Sequence, residues 1–339
     1  MGRSPSDLIV FVGKRILQVI PVLFGVVTLT FLFTHLATQN PCATWLGAKA
    51  TKSALKDCRV YFGLDYPPWV QYERYLAGLV SGNWGVDTLY HSPVLSTILS
   101  HFPETLELVL ASVVLMVVVG IPLGVVAAAS GGRVGDHLVR LFYLSGWATP
   151  TYLAGAVLAI GVGSAIGLGT GDFSSTPSFP QPTHMSVLDA LLAGNIPATG
   201  DAIAHLILPA TALAFVNMGI ATRMTRSSML EVLPLDFVKT ARMKGLSEFA
   251  VLYKHALRNA LITTTTVLAV TAGGMIASTV VIEQVFQWPG VGQYAYAAIF
   301  DNDFSGVIGV VIFFSVVVVL ANLIADVLYG ILDPRVEWR

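Results

Sequence analysis

The chain has 339 residues, 55% of them apolar and 12% charged, with a formal net charge of −1. Counting glycine as well, the apolar share is about 64%, against roughly 45–50% in a soluble domain, and the charged share is about half the usual quarter. With a mean hydropathy of +0.73, too little polar surface remains to cover a water-soluble core of this size. Disorder, nucleic-acid binding and a secreted disulfide scaffold are excluded, and the chain belongs in a membrane.

A helix crossing a bilayer needs about 20 apolar residues, and six stretches qualify. They run from about Ile16 to Leu36, Leu106 to Ala129, Leu138 to Leu168, Ala202 to Thr222, Ala260 to Ile282 and Val307 to Leu332. The third is broken by Pro150 and several glycines; the fourth carries His205, Pro209 and Asn217. Period-two alternation is absent, which removes a membrane β-barrel. The first stretch follows basic residues but is too long for a signal-peptide core, and no small-residue cleavage site follows it. It reads as an uncleaved span. Residues 38–103 form an external region, with short amphipathic helices expected over Lys49–Phe62 and Trp69–Leu79 and a break at Tyr66–Trp69. The aromatics of the second helix suit a membrane interface. Residues 169–201, rich in Ser, Thr, Pro and Gly, read as an external loop.

Lys and Arg set the orientation. With the N-terminus in the cytoplasm, Arg3, Lys14, Arg15, Arg133, Arg140, the basic residues of 223–258, Arg335 and Arg339 all lie inside. The remainder, Lys49, Lys52, Lys56, Arg59 and Arg74, fall in the loop after the first span. Both termini are therefore expected in the cytoplasm. Cys42 and Cys58, the only cysteines, share that loop. An oxidising exterior permits a bridge between them, and two unpaired thiols are the other reading, because sequence does not give the Cα separation.

The division expected is a tail and first span over 1–37, the external region over 38–103, a core over 104–333 and a cytoplasmic tail over 334–339. Within the core, residues 223–258 are too long for a hairpin connection. Pro234 ends one helix, Asp236 is placed to cap a short helix running through Lys244, Gly245 can end it in a left-handed conformation, and Ser247 can cap the next. Such a helix is either a topology signal or a docking element for a soluble partner. Asn322 and Asp326 sit within the sixth span; an intramembrane carboxylate is a functional candidate, and packing near Tyr329 is the plainer role. Glu104, Glu107 and Glu283 sit at outer span ends, either drawing in a cationic substrate or simply solvated. Trp288-Pro289-Gly290 marks a sharp turn beside them. The seven histidines form no i, i+4 pair, and no dedicated metal site is expected.

The stretch Phe237-Val-Lys239-Thr240-Ala241-Arg-Met-Lys244-Gly245-Leu246, followed by His255-Ala-Leu-Arg258-Asn-Ala, resembles the E-A-A loop of permeases from binding-protein-dependent ABC importers. Lys239, Thr240 and Ala241 stand at the E-A-A positions, and Gly245 at the glycine. His255 to Arg258 stand at the closing I-x-L-P. The Glu and Pro of the general pattern are absent, as in the dipeptide, oligopeptide and nickel branch. Lys14 to Gly25, Thr105 to Leu108, Gly120 to Val125, Leu208 to Ala210, Arg223 to Leu233, Glu283 to Gly292 and Asp326 to Arg335 are similar to that branch too.

The resemblance implies an all-α membrane protein of six transmembrane helices, with a cytoplasmic coupling loop and a large first external loop. It implies half of a translocation pathway for peptides, with nickel or oligosaccharides as alternative cargo, in a multi-pass protein of the inner membrane. The partners implied are a second permease, two cytoplasmic ATP-binding subunits, an external substrate-binding protein and membrane lipid, but no nucleic acid. ATP and magnesium belong to the ATP-binding subunits. This chain has no phosphate-cradling G-x-x-x-x-G-K-[ST], so it is not expected to be an enzyme and needs no cofactor. Phe237, Lys239, Thr240, Ala241, Lys244, Gly245, Leu246, His255 and Arg258 are the implied coupling residues. Glu107, Glu283, Trp288, Pro289 and Gly290 are the outer-gate candidates. Two rival readings stand beside this. A secondary transporter predicts inverted repeats and paired broken helices, and leaves the loop unexplained. An intramembrane hydrolase could use Ser145 or Ser164, but no histidine lies in the fifth or sixth span to serve as its base.

Overall fold

The computed structural model describes residues 5–37, 42, 51–61, 63–87, 89–168, 179–301 and 303–332. Among these the regular structure is helical, with one isolated antiparallel bridge between Val86 and Pro93. In chain order the helices are α1 (Pro5–Ala37), α2 (Lys52–Tyr61), α3 (Pro68–Val80), α4 (Val94–Ser130), α5 (Val134–Ala148), α6 (Thr151–Ile166), α7 (Ser186–Leu192), α8 (Ile196–Val232), α9 (Asp236–Met243), α10 (Ala250–Phe286), α11 (Val291–Phe300) and α12 (Phe304–Leu332). Five of them, α1, α4, α8, α10 and α12, are long and apolar enough to cross a membrane. The pair α5 and α6, bent by 107° at the Thr149–Pro150 break, is long and apolar enough for a sixth crossing when taken as one broken span.

Hydropathy located these helices but not their ends. The second span, expected from Leu106, begins twelve residues earlier at Val94, because the helix accommodates Pro103. The fourth, expected over Ala202–Thr222, is the middle of a 37-residue helix. Its internal polar groups bond to the helix's own backbone, Asn217 Nδ2 donating to the Leu213 carbonyl at 2.8 Å and His205 Nδ1 pairing with that of Asp201 at 2.9 Å. At 1.5 Å per residue α4 and α8 are each about 55 Å long, well beyond the roughly 30 Å of hydrocarbon. Both project out of the bilayer or tilt strongly. The stretch 169–201 is not wholly loop either: α7 and the start of α8 lie in it, the latter capped by Asn195 Oδ1 on the Ala198 amide.

The core is a three-helix seam. Leu108 and Met116 of α4, Leu213 of α8, and Met275 and Ile282 of α10 are fully buried together. Glycine brings α4 against α8. A Cβ on Gly124 would lie 2.6 Å from Thr225 Cβ and 2.8 Å from the Thr222 carbonyl, and one on Gly120 2.9 Å from Ala221 Cβ. This close approach supplies the dispersion contact that holds helices together where lipid offers no hydrophobic drive. Beyond the seam, α12 packs on α10 and α1 on α12. Cys42 is completely buried and disulfide-bonded, and the side chain of Cys58 lies outside the described residues.

Gly124→Val is expected to destabilise the protein by about 1–3 kcal/mol through overpacking, whereas Gly161→Ala, with nothing within 4 Å of its Cβ position, should be neutral. Thermal unfolding of the detergent-solubilised protein followed by size-exclusion chromatography compares the two.

Candidate functional site: a loop helix and the far ends of the spans

Two places gather the polar residues singled out in the sequence, one at each end of the long helices. The first is α9. Leu235 and Pro234 break the chain out of α8, and Val238 and Ala241, three apart on one face, are buried. They pack with Val125 and Ala128 of α4, Met229 of α8 and Val251, Ala256 and Leu257 of α10. The short helix is thus fixed to the ends of all three core helices.

The surface of α9 and of the turn that follows it is unusual. Phe237 (41% exposed), Met243 (80%), Leu246 (42%) and Phe249 (71%) are large apolar side chains left open. They stand among exposed charges: Asp236 pairs with Lys239 Nζ at 2.9 Å, and Arg242 pairs with Glu248. Large apolar side chains exposed together in this way mark a surface for interaction.

The helix ends as its sequence suggests. The Lys244 amide donates to the Thr240 carbonyl and Gly245 N–H to that of Arg242, and Gly245 takes φ +74°, a conformation that suits glycine. The start differs. Asp236 does not cap α9: Leu235 is the cap residue, without a side-chain bond, and Asp236 sits in the first turn. There its charge still favours the helix N-terminus. Ser247 does cap the following helix, accepting from the Ala250 amide at 3.3 Å. Across the Gly245 turn, Arg242 donates to Glu248 through Nε at 3.2 Å and Nη2 at 2.7 Å. These bonds hold the Glu248 carboxyl below its usual 4.5. The clasp is therefore present above that value and is lost as pH falls through the lowered one. His255 lies in a π-helical turn, Ala250–Ala256, that opens α10, and Arg258 is exposed just after it.

The second place is where α4, α7, α10 and α11 meet. Glu107 and Glu283 are not solvated, contrary to the plainer expectation; they are 8% and 0% exposed. Glu107 Oε1 accepts the amides of Val187 and Leu188 at 3.0 and 3.2 Å, and Glu104 Oε1 accepts from Ser186 Oγ at 2.5 Å. These carboxylates anchor the N-terminus of α7. Glu283 Oε2 accepts the amides of Gly292 and Gln293 at 2.6 and 3.2 Å, and so caps α11. Thr105 Oγ1 accepts the Val291 amide at 2.9 Å, and Trp288 Nε1 donates to the Glu104 carbonyl at 3.0 Å. A Cβ on Gly290 would collide with the Glu283 carboxylate, so the Trp288-Pro289-Gly290 turn is buttoned tightly onto α4.

Asp326 is bound by Arg15 of α1, Nη1 to Oδ2 at 3.1 Å. The pair joins the first and last long helices and gives the intramembrane carboxylate a partner that sequence did not reveal. Asn322 is exposed, near Gly273 of α10. A further ion pair was missed: Asp136 in α5, completely buried, receives Arg226 of α8 through Nε at 2.7 Å and Nη2 at 2.8 Å. The only hint in the sequence was an acid in the first turn of a basic stretch.

Long apolar helices, one bent helix pair and a loop helix fastened to their ends define a multi-pass, all-α membrane protein. Residues 120–338 match the family of binding-protein-dependent transport system inner membrane components, and residues 8–111 match the N-terminal model of such a membrane component. A probable D,D-dipeptide transport system permease of Escherichia coli K12 is 37% identical over 326 residues, covering 95% of this chain and 96% of that protein. A dipeptide transport system permease of Alkalihalophilus pseudofirmus is 33% identical over 333 residues (98% and 100%), and an oligopeptide transport system permease of Bacillus subtilis 33% over 329 (97% and 99%). The chain belongs to this family of inner membrane permease subunits of binding-protein-dependent ABC importers.

Removing the Glu283 carboxylate leaves the buried Gly292 amide and the partly buried Gln293 amide without an acceptor. Glu283→Ala is expected to cost about 2–3 kcal/mol, with Glu283→Gln, which keeps a carbonyl oxygen, losing less. A thermal midpoint unchanged in both would remove the capping role.

Proposed function

We propose that this chain is one of two permease subunits of an ATP-driven peptide importer, with both termini in the cytoplasm and α9 as its coupling helix. ATP binding and hydrolysis then belong to two cytoplasmic partner subunits, and substrate is delivered from outside by a binding protein. The peptide cargo is argued from the names of the three relatives, which carry dipeptides or oligopeptides. The orientation is argued from the distribution of Lys and Arg.

One observation carries the coupling role: a short helix buries Val238 and Ala241 against all three core helices, while its Met243 and, past the Gly245 turn, Phe249 stand open among charges. An ATP-binding subunit gripping that apolar patch would move α4, α8 and α10 as a unit, because the inward face of α9 is packed into their ends. Nucleotide-driven closure of the two ATP-binding subunits would then switch the side to which the pathway opens. Phe237, Leu246, Met243 and Phe249 form the contact. Lys239, Thr240, Lys244 and Gly245 shape the helix and its exit, and His255 and Arg258 lie on the start of α10. Glu107, Glu283, Trp288, Pro289 and Gly290 are the fixed outer end against which that motion works.

Met243→Asp places a charge in the centre of the contact and is expected to weaken it by about 2 kcal/mol, roughly thirtyfold. Gly245→Asp strains the turn. Both variants should insert into the membrane at normal levels, yet lose the ATP-binding subunits on purification and lose peptide uptake. Full uptake with the subunits retained would rule the coupling role out.

A further inference from the structure

The apolar patch is not carried by one helix. Met243 ends α9, whereas Phe249 stands past the Gly245 turn, one residue before α10. A partner that grips both side chains binds well only if the turn holds them at a fixed spacing. Otherwise the cost of ordering the turn is taken from the affinity.

Backbone bonds do not fix that spacing. The Lys244, Gly245 and Leu246 amides donate to the carbonyls of Thr240, Arg242 and Ala241, all within α9. On the far side Ser247 accepts from Ala250 and Val251. Between the two sets stands Gly245, φ +74°, the residue type with the widest backbone freedom. Val238 and Ala241 share an apolar cluster with Val251 and Ala256, which holds the buried side of the joint. Met243 and Phe249 stand on its open side.

The open side is tied by Arg242 and Glu248. Nε donates to Oε2 at 3.2 Å and Nη2 to Oε1 at 2.7 Å. Two parallel bonds from a planar guanidinium fix direction as well as distance. Among the described residues no other side-chain hydrogen bond joins α9 to the start of α10. The two partners directly precede Met243 and Phe249 in the chain. Each charge also suits its place, Arg242 in the last turn of α9 and Glu248 just after the Ser247 cap, because a helix favours cations at its C-terminus and anions at its N-terminus. The side chains are 44% and 57% exposed, so the pair adds little to global stability. What it supplies is geometry.

We infer that Arg242 and Glu248 are positioning residues for the coupling contact: their forked bond sets Met243 and Phe249 as one surface before the ATP-binding subunit arrives. The use of the clasp rests on the coupling role proposed above; the fixed spacing across the turn does not.

The test uses the full chain with its partner permease in nanodiscs, titrated with the ATP-binding subunits. Arg242→Glu and Glu248→Arg, each placing like charges across the turn, are expected to raise the Kd at least about tenfold, with the thermal midpoint unchanged. The double variant Arg242→Glu/Glu248→Arg rebuilds the pair and should return the Kd to within about threefold of the parent, the remainder coming from reversed charges at the helix ends. Spin labels on Asp236→Cys and Lys254→Cys report the spacing itself. The distance distribution is expected to be as narrow before the ATP-binding subunits are added as after, to broaden in each single variant without them, and to narrow again in the double variant.

A Kd unchanged in the single variants overturns the proposal. A double variant that stays weak makes the two residues direct contacts of the partner and also overturns it. A parent distribution that is broad until the subunits bind overturns the preset spacing and leaves the coupling role of α9 standing. If Met243→Asp leaves the Kd unchanged, the contact itself is absent and the proposal falls with it, a result that the clasp variants cannot mimic.

Discussion

The close approach of α4 and α8 is the contact on which the rest of the molecule depends. In a bilayer the lipid tails solvate an apolar helix as well as another helix does, so association comes from intimate packing. Gly120 and Gly124 remove the side chains that would hold α8 away, and Ala221, Thr222 and Thr225 fill the space. The buried Asp136–Arg226 pair ties α5 to the same helix at the α9 end. Removing Arg226 takes away the closest partner of the buried Asp136 carboxylate and leaves it to Arg140, at 3.4 Å, and the Gly132 amide. Together these contacts make α8 a continuous shaft of 37 residues from Asn195 to the loop that carries α9.

The two ends of α10 are fastened in different ways, and the difference bears on mechanism. At one end Val251, Ala256 and Leu257 share an apolar cluster with α9, a joint that can transmit force through packing alone. At the other, Glu283 caps α11 and the Trp288 indole bonds to α4, a joint made of directional bonds. Close-packed clusters move as bodies because they resist compression. A displacement imposed on α9 therefore passes along α10 towards a turn that is pinned to α4. The carboxylates at that turn hold helices in place, one oxygen each of Glu107 and Glu283 accepting two backbone amides.

Much of this was legible in the residues, and the limits have physical causes. The five long apolar helices and the bent pair follow from runs of apolar side chains, but their ends do not, since a polar extension of a helix carries no hydropathy signal and Pro103 and Pro209 sit inside helices without ending them. The Gly245 turn and the Ser247 cap were readable because their partners are within six residues. Asp326 and Glu107 were not, because Arg15 and the α7 amides come from distant parts of the chain. Burial of Glu283 is likewise a property of the assembled helices. The α7 helix was hidden in a Ser, Thr and Pro-rich stretch, where composition favours loops and the stabilising caps are supplied from α4.

The central claim is that the apolar patch formed by α9 and the residues just after its Gly245 turn is gripped by a cytoplasmic ATP-binding subunit. Its most direct measurement is site-specific photocrosslinking in living cells, with a benzophenone amino acid at Phe249 and, as a control, at Val157 on the exposed surface of α6. The account predicts a crosslink from position 249 to the ATP-binding subunit and none to it from 157. Crosslinks from 249 to lipid alone, or to a protein on the outer side of the membrane, would contradict it.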